Sequence, residues 1–185
     1  MYQKLYKHFL NQHKNELHFT AHSHHYWPDI TRKAQVAYWD DSAKLIDDKW
    51  NHIFSKVIPE CKRELAAMLN IKSENQLVFG QSTHDLIFRL FTALDIFKTK
   101  KLRVVTTDSE FYSFSRQMRR MEEEGIATVT YVPVLPYETF RHRFLSTVNS
   151  SDCDLVYFSQ VFFNSGYLVF DLADFVKKIQ DEKKH

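Results

Sequence analysis

The fold is decided by residues 102–132, which read LRVVTTDSEFYSFSRQMRRMEEEGIATVTYV. Leu102–Thr107 is a short apolar run of the kind that forms a buried strand. Residues 113–124 carry apolar side chains at helical spacing, and Gly125 follows as a helix terminator. Ala127–Val132 alternates apolar and polar residues like a second strand. This order predicts one strand–helix–strand unit with parallel strands.

The same alternation extends in both directions along the chain. Further strands are predicted at 76–79 and 155–159, and further helices at 83–97, 137–148 and 171–183. We therefore predict an α/β fold with a mostly parallel sheet and helices on both faces. Residues 1–70 are predicted to form an N-terminal helical segment, with helices at 2–13 and 30–69, the second with one or two breaks of which the favoured one is near Pro59. Residues 71–185 are predicted to form the α/β domain.

Composition limits the classes of protein that need to be considered. The chain has 185 residues, 44% of them hydrophobic, and a net charge of +2. Basic residues are spread along the chain, so a nucleic-acid partner is not expected. No apolar run approaches the roughly 18 residues of a membrane span. Cys61 and Cys153 fit no disulfide or metal framework, which favours the cytoplasm.

A candidate phosphate site lies at Leu77-Val78-Phe79-Gly80-Gln81-Ser82-Thr83-His84-Asp85-Leu86. The order is a predicted strand, one of the three glycines of the chain, two hydroxyl residues and an apolar helix. The first N–H groups of a helix lack partners and attract anions. The alternative is that Ser82 only caps the helix and needs no ligand.

In parallel sheets, ligands bind beyond the carboxyl ends of the strands. The residues expected there are Gln81–Thr83, Asp108–Tyr112 and Gln160–Gly166. A phosphate turn and two loops with aromatic and polar side chains would then share one edge. This combination suits a flat aromatic ligand that carries a phosphate.

Four motifs together resemble a known family. They are His22-Ser23-His24-His25-Tyr26-Trp27-Pro28-Asp29, Gly80-Gln81-Ser82-Thr83-His84, Ser109-Glu110-Phe111-Tyr112-Ser113 and Ser159-Gln160-Val161-Phe162-Phe163-Asn164-Ser165-Gly166. Their order and spacing resemble the N-terminal half of class V aminotransferase-fold enzymes of fold type I, which use pyridoxal 5'-phosphate (PLP). The nearest branch is kynureninase-like.

The resemblance implies a role for each motif. Ser82 and Thr83, next to Gln81, would bind the cofactor phosphate. Phe111 would stack on the pyridine ring, and it cannot transfer a proton as a histidine there would. Asn164, one residue after the position of the family asparagine, would lie near the ring hydroxyl. The substrate would meet the residues His22, His24, His25 and Trp27.

The resemblance also implies a limit. The family's Schiff-base lysine and the aspartate that pairs with the ring nitrogen are expected after position 185. We therefore expect no catalytic residue in this chain and no activity from it alone. It would be the N-terminal portion of an enzyme that acts on an amino acid, in a homodimer or with a C-terminal half on another chain. The alternative is a truncated, non-catalytic module that binds a phosphate ligand or a partner chain.

Three residue groups allow two interpretations each. His22, His24 and His25 suggest a metal site, but a polar loop that faces substrate is the preferred interpretation, with no metal. Glu110 is either a catalytic acid or, preferably, a cap of the following helix. The basic cluster Arg116, Arg119 and Arg120 is interpreted as a solvated, ion-paired helix face.

Overall fold

The computed structural model describes residues 2–182 and divides into two units. One unit ends at Gly80 and the other begins at Gln81. Within the described residues no helix is both long enough and apolar enough to span a bilayer. Lys183, with which the predicted last helix ends, lies outside the described residues.

The first unit is helical, which confirms the predicted N-terminal helical segment. Its α-helices are α1 (Lys7–Gln12), α2 (Asp29–Leu45), α3 (Lys49–His52) and α4 (Ile58–Met68). Short 3₁₀-helices occupy Tyr2–Leu5, Ile46–Asp48 and Glu74–Gln76, and a π-helix occupies Ile53–Val57. Among residues 2–80, Ala66 is the one buried residue. This unit therefore has almost no core of its own.

The main break in the predicted helix 30–69 falls at Ile46, whose φ is 49°. A β-branched residue rarely adopts a positive φ, so the chain changes direction sharply there. The chain does not change direction at Pro59, because the π-helix Ile53–Val57 runs directly into α4, whose second residue is Pro59. The helix departs from α-helical geometry just before Pro59, where the missing N–H removes one helical hydrogen bond.

Asp29 caps α1 and not, as its position suggests, its own helix. Its carboxylate accepts hydrogen bonds from the backbone N–H groups of Lys7 and His8, both at 3.1 Å. These are the first residues of α1, where N–H groups lack helical acceptors and the helix dipole favours an anion. Thr31 donates its hydroxyl to the Pro28 carbonyl at 2.8 Å. Asp29 therefore connects the starts of α1 and α2.

The predicted strand at 76–79 does not form. Gln76 ends a 3₁₀-helix, and the residues up to Gly80 have no regular structure. Val78 and Phe79 are 74% and 47% exposed. A strand depends on a hydrogen-bonded neighbour, and β-propensity alone does not provide one.

The second unit is an α/β domain. Its helices are α5 (Thr83–Ala93), α6 (Asp95–Thr99), α7 (Tyr112–Glu123), α8 (Tyr137–Ser150) and α9 (Leu172–Glu182). Its strands are β1 (Leu102–Thr107), β2 (Ala127–Val132) and β3 (Leu155–Val156). They form a parallel sheet in the order β2-β1-β3. The predicted fold class is confirmed, with three strands where four were expected.

The sheet is covered on both faces, because β1 and β2 alternate their side chains between two clusters. Leu102, Val104, Ala127 and Val129 pack with residues of α5 and α7, including Phe91, Phe114, Met118 and Met121. Val105 and Val132 pack on the opposite face with residues of α8 and α9, including Phe140, Phe144, Val148, Phe175 and Ile179. Helices therefore bury both faces of the parallel sheet.

Two predicted elements are shorter than expected. The helix predicted at 83–97 is interrupted at Leu94, which has an extended backbone with ψ of 130°. The strand predicted at 155–159 ends at Val156, after which the Tyr157 N–H still donates to the Val105 carbonyl at 3.0 Å. The loop that follows makes an antiparallel bridge between Val161 and Leu168. This bridge closes the loop on itself.

Candidate functional site

The loops after β1 and β2 are joined by Asp108. Its Oδ1 atom accepts hydrogen bonds from the Val134 N–H and from the Ser109 hydroxyl, both at 3.1 Å. The Asp108 N–H in turn donates to the Val132 carbonyl at 3.3 Å. One carboxylate therefore fixes the carboxyl end of the sheet at two neighbouring strands.

The loop after β3 is joined to the same place by Asn164. Its Nδ2 atom donates to the Ser109 hydroxyl oxygen at 3.1 Å. Ser109 is buried, so the bond holds two loops together at positions 55 residues apart. Asn164, a predicted cofactor-binding residue, thus lies beside the loop that carries Phe111.

Glu110 joins the ends of β1 and β3 and neither caps α7 nor lies open to solvent. Its carboxylate accepts hydrogen bonds from the Thr107 hydroxyl at 2.7 Å, from the Ser159 N–H at 3.1 Å and from the Ser159 hydroxyl at 2.5 Å. The residue is only 7% exposed. Both sequence interpretations of Glu110 miss this role, because Ser159 is 49 residues away. The bonds favour a structural role for its carboxylate.

Phe111 belongs to a group of three rings at this edge. Its ring meets that of Phe163 edge-on, with centroids 4.9 Å apart and planes at 79°. Tyr112 meets the same Phe163 ring at 6.2 Å. Phe111 is still 49% exposed, so a large part of its surface remains open to a flat ligand.

Tyr157, next to Glu110, is neutral over a wider pH range than a free tyrosine. Burial raises the pKa of its phenol, and the nearby Glu110 carboxylate raises it further. Its ring stacks on Phe114, with centroids 3.8 Å apart and planes at 15°. The side chain therefore packs against the core cluster on the α5 and α7 face of the sheet.

A cavity of about 350 Å³ opens between α7 and the loops after β1 and β3. Its lining residues are Asp108, Ser109, Glu110, Tyr112, Ser115, Arg116, Arg119, Phe163 and Asn164. Asn164 is the one predicted cofactor residue in this lining. Gln81, Ser82, Thr83 and Phe111 are not part of it.

Ser82 caps α5, as the alternative interpretation of the phosphate turn requires. Its hydroxyl accepts a hydrogen bond from the Asp85 N–H at 3.2 Å. Gln81, Ser82 and Thr83 are all exposed. Gly80 does not have a positive φ, so the turn does not need a glycine for its conformation. Ser82 can cap the helix and still donate its hydroxyl hydrogen to a phosphate.

The predicted substrate residues lie in the first unit. His24 pairs its Nδ1 with the Ser23 hydroxyl at 2.9 Å, and His25 pairs its Nδ1 with the Tyr26 carbonyl at 2.6 Å. Trp27 is 60% exposed. His22 is also exposed and has a contact within the structure. Across residues 2–182, no three His, Cys, Asp or Glu side chains are grouped to hold a metal ion.

The structure gives specific roles to residues to which the sequence assigned none of their own. Ser109 accepts a long-range hydrogen bond from Asn164, and Ser159 donates two to Glu110, contacts that no local pattern reveals. Arg116 and Arg119 face the cavity, whereas Arg120 pairs with Glu123 at 3.3 Å and with Glu124. The interpretation of an ion-paired face therefore holds for Arg120 but not for its two neighbours. Their helical spacing with Tyr112 and Ser115 was the available signal.

The parallel sheet, the helices on both faces and the polar and aromatic loops at its carboxyl edge define a partial fold of the PLP-dependent transferase type. The model of the family Aminotransferase class-V matches residues 33–184. The chain belongs to the aminotransferase class-V family, whose enzymes depend on PLP. Comparisons with curated proteins and with solved structures found no match.

Proposed function

We propose that this chain supplies the phosphate-binding and ring-binding part of a PLP site in a kynureninase-like enzyme that acts on an amino acid. The observation that carries the proposal is the family match over residues 33–184, together with exposed Ser82, Thr83 and Phe111 at their motif positions. The assignment to a kynureninase-like subfamily rests on the sequence motifs alone.

The donors at the start of α5 fit a phosphate. The Ser82 hydroxyl bonds the Asp85 N–H, which leaves the N–H groups of Thr83 and His84 at the exposed helix start. The hydroxyls of Ser82 and Thr83 are further donors, and the helix dipole favours an anion. Gln81 lies directly before them and is equally exposed.

One buried polar atom also fits a site built for a polar group. Thr106, at the end of β1, is 0% exposed, and its hydroxyl finds no hydrogen-bond partner within the described part of the chain. Buried polar atoms are seldom left unpaired, and functional sites are the usual exception.

PLP would act as an electron sink when bound. The residues of this chain would bind and orient it. Ser82 and Thr83 would hold the phosphate, Phe111 would cover one face of the ring, and Asn164 would contact a ring substituent. Since Phe111 cannot carry a proton, its contribution is orientation. The Schiff-base lysine and the aspartate for the ring nitrogen would come from outside residues 1–185.

The amino-acid substrate would meet His22, His24, His25 and Trp27, which are exposed or half-exposed polar and aromatic side chains. We also propose a cytoplasmic protein, because Cys61 and Cys153 are both free. A homodimer, or a C-terminal half on another chain, would cover the apolar side chains exposed in residues 2–80.

Binding of pyridoxine 5'-phosphate tests the cofactor site, because this compound carries the phosphate but cannot react with a lysine. We expect saturable binding in equilibrium dialysis and much weaker binding of pyridoxine. The double variant Ser82→Ala with Thr83→Ala should weaken binding about tenfold or more, since it removes two donors to a charged group. Ser73→Ala is the control, because Ser73 caps a short helix in the same way through the Asn75 N–H.

Equal binding of pyridoxine and its phosphate, or no effect of the double variant, would contradict the proposed site. A second measurement tests whether residues 1–185 contain the lysine that reacts with PLP. The chain is mixed with PLP, reduced with borohydride and mapped by mass spectrometry. One stable adduct at a unique lysine would show that the reactive lysine is within residues 1–185. The proposed function and the alternative of a non-catalytic phosphate-binding module both predict binding without such an adduct, and preference for the pyridoxine ring over a simple phosphate ester would favour the proposed function.

A further inference from the structure

The cavity between α7 and the loops after β1 and β3 carries two arginines that the proposed cofactor site does not use. Arg116 and Arg119 lie on the same face of α7 as Ser115, one helical turn apart. Ser109 and Asn164 close the opposite side, and Phe163 adds an aromatic wall. A cavity of about 350 Å³ is large enough for a small organic ligand.

Neither arginine forms an ion pair within residues 2–182. The Arg116 guanidinium lies over the Tyr112 ring at 5.8 Å. The neighbouring Arg120 pairs with Glu123 and Glu124, so acidic partners are present on the same helix but engage a different arginine. The result is a double positive charge at one wall of the cavity.

Of the two acidic residues of the cavity, Glu110 is engaged through both carboxylate oxygens and Asp108 through one. Both carboxylate oxygens of Glu110 accept hydrogen bonds from Thr107 or Ser159. Asp108 accepts two through its Oδ1 atom and holds the loop ends together. These carboxylates therefore contribute negative charge nearby, but neither one pairs with the guanidinium groups.

We propose that this cavity binds a small organic dianion. Arg116 and Arg119 neutralise its two charges, because guanidinium groups bind carboxylates and phosphates through paired hydrogen bonds. Ser109, Ser115 and Asn164 offer further polar contacts, and Phe163 packs against the apolar body of the ligand. The site shares Asn164 with the proposed cofactor site, but it does not require PLP or the donors at the start of α5.

Two-dimensional NMR of the full chain, without PLP, tests the site and reports where a ligand binds. The probes are phenyl phosphate, isophthalate and phenol, and the readout is the backbone amide shifts. We expect either dianion to shift the amides of Ser109, Ser115, Arg116 and Asn164, and phenol not to. The dianion that binds with the higher affinity identifies the ligand as a phosphate ester or a dicarboxylate.

The double variant Arg116→Gln with Arg119→Gln should weaken the dianion at least about tenfold, since charge-assisted bonds are lost. Arg120→Gln is the matched control and should leave affinity within about twofold, because exposed pairs matter little. Thermal melts check that each variant folds. Shifts confined to Thr83 and His84, equal shifts from phenol, or an unaffected double variant would overturn the proposal.

Discussion

Arg103, the charged residue of the central strand β1, is paired mainly with Asp154. The Arg103 guanidinium donates to both carboxylate oxygens of Asp154, at 2.9 and 2.6 Å, and the Arg103 N–H donates to the same carboxylate at 3.0 Å. Arg103 also contacts Asp152. These bonds hold the pKa of the Asp154 carboxyl well below its usual range, against the opposing effect of burial. They fasten the start of β1 to the start of β3.

Asp154→Asn should lower the free energy of unfolding by about 1–3 kcal/mol, because it removes a charged partner from three hydrogen bonds. The wild-type contribution is present above the ordinary carboxyl pKa of 3.8 and is lost as pH falls further. The measurement is urea unfolding at pH 7 and at pH 3. Asp152→Asn is the control, since that side chain is 88% exposed and should change stability little. Equal effects of the two variants would contradict the role of Asp154.

Tyr131 gives the chain a separate sensitivity to alkaline pH. Burial, and then a hydrogen bond from its hydroxyl to Glu122 at 3.0 Å, raises the pKa of Tyr131 to about 12. The unfolded chain releases this proton at a lower pH, so stability falls between about pH 10 and 12. Tyr131→Phe should reduce the loss between about pH 10 and 12 in urea unfolding. Tyr38→Phe, at an exposed position, should show the wild-type loss.

At the scale of elements, the sequence predicts what local periodicity determines. The apolar run of β1, the alternation of β2 and the spacing of α7 are visible in residues 102–132. Residues 76–79 have the same β-propensity but no strand beside them, so the prediction fails. The bonds of Asp29 to α1, of Glu110 to Ser159 and of Asn164 to Ser109 join distant positions. Candidate residues were therefore predictable, and most of their partners were not.

The end of α7 is a local signal that the structure confirms. The Ile126 N–H donates to the Met121 carbonyl at 2.8 Å, and the Gly125 N–H donates to the Glu122 carbonyl at 2.9 Å. Gly125 has a φ of 70°, which this helix end requires. A β-carbon there would meet nothing within 4 Å. The requirement is therefore conformational and not steric crowding.

Gly125→Ala should lower the free energy of unfolding by about 1–2 kcal/mol, the cost of the left-handed conformation for a residue with a β-carbon. Gly80→Ala should have little effect, because Gly80 lacks a positive φ. The two variants are compared by urea unfolding under the same conditions. A larger loss from Gly80→Ala would show that the turn before α5 needs its glycine after all.

At the scale of the whole molecule, the first unit lacks the apolar core of a self-sufficient domain. Among residues 2–80 only Ala66 is buried, and many large apolar side chains are solvent-exposed, among them Val36, Trp39, Trp50 and Phe54. Exposed apolar surface of this kind is typical of a site of protein association.

We therefore expect the chain to associate through residues 2–80, with a second copy as the partner. Light scattering after size-exclusion chromatography should give about twice the chain mass of 22.1 kDa. Trp39→Glu should shift the mass towards one chain, because a charge buried at an interface without a partner is costly. Phe170→Glu, at an exposed site in the second unit, should leave the mass unchanged. A monodisperse single chain would contradict the homodimer, and a dimer unaffected by Trp39→Glu would exclude this part of α2 from the interface.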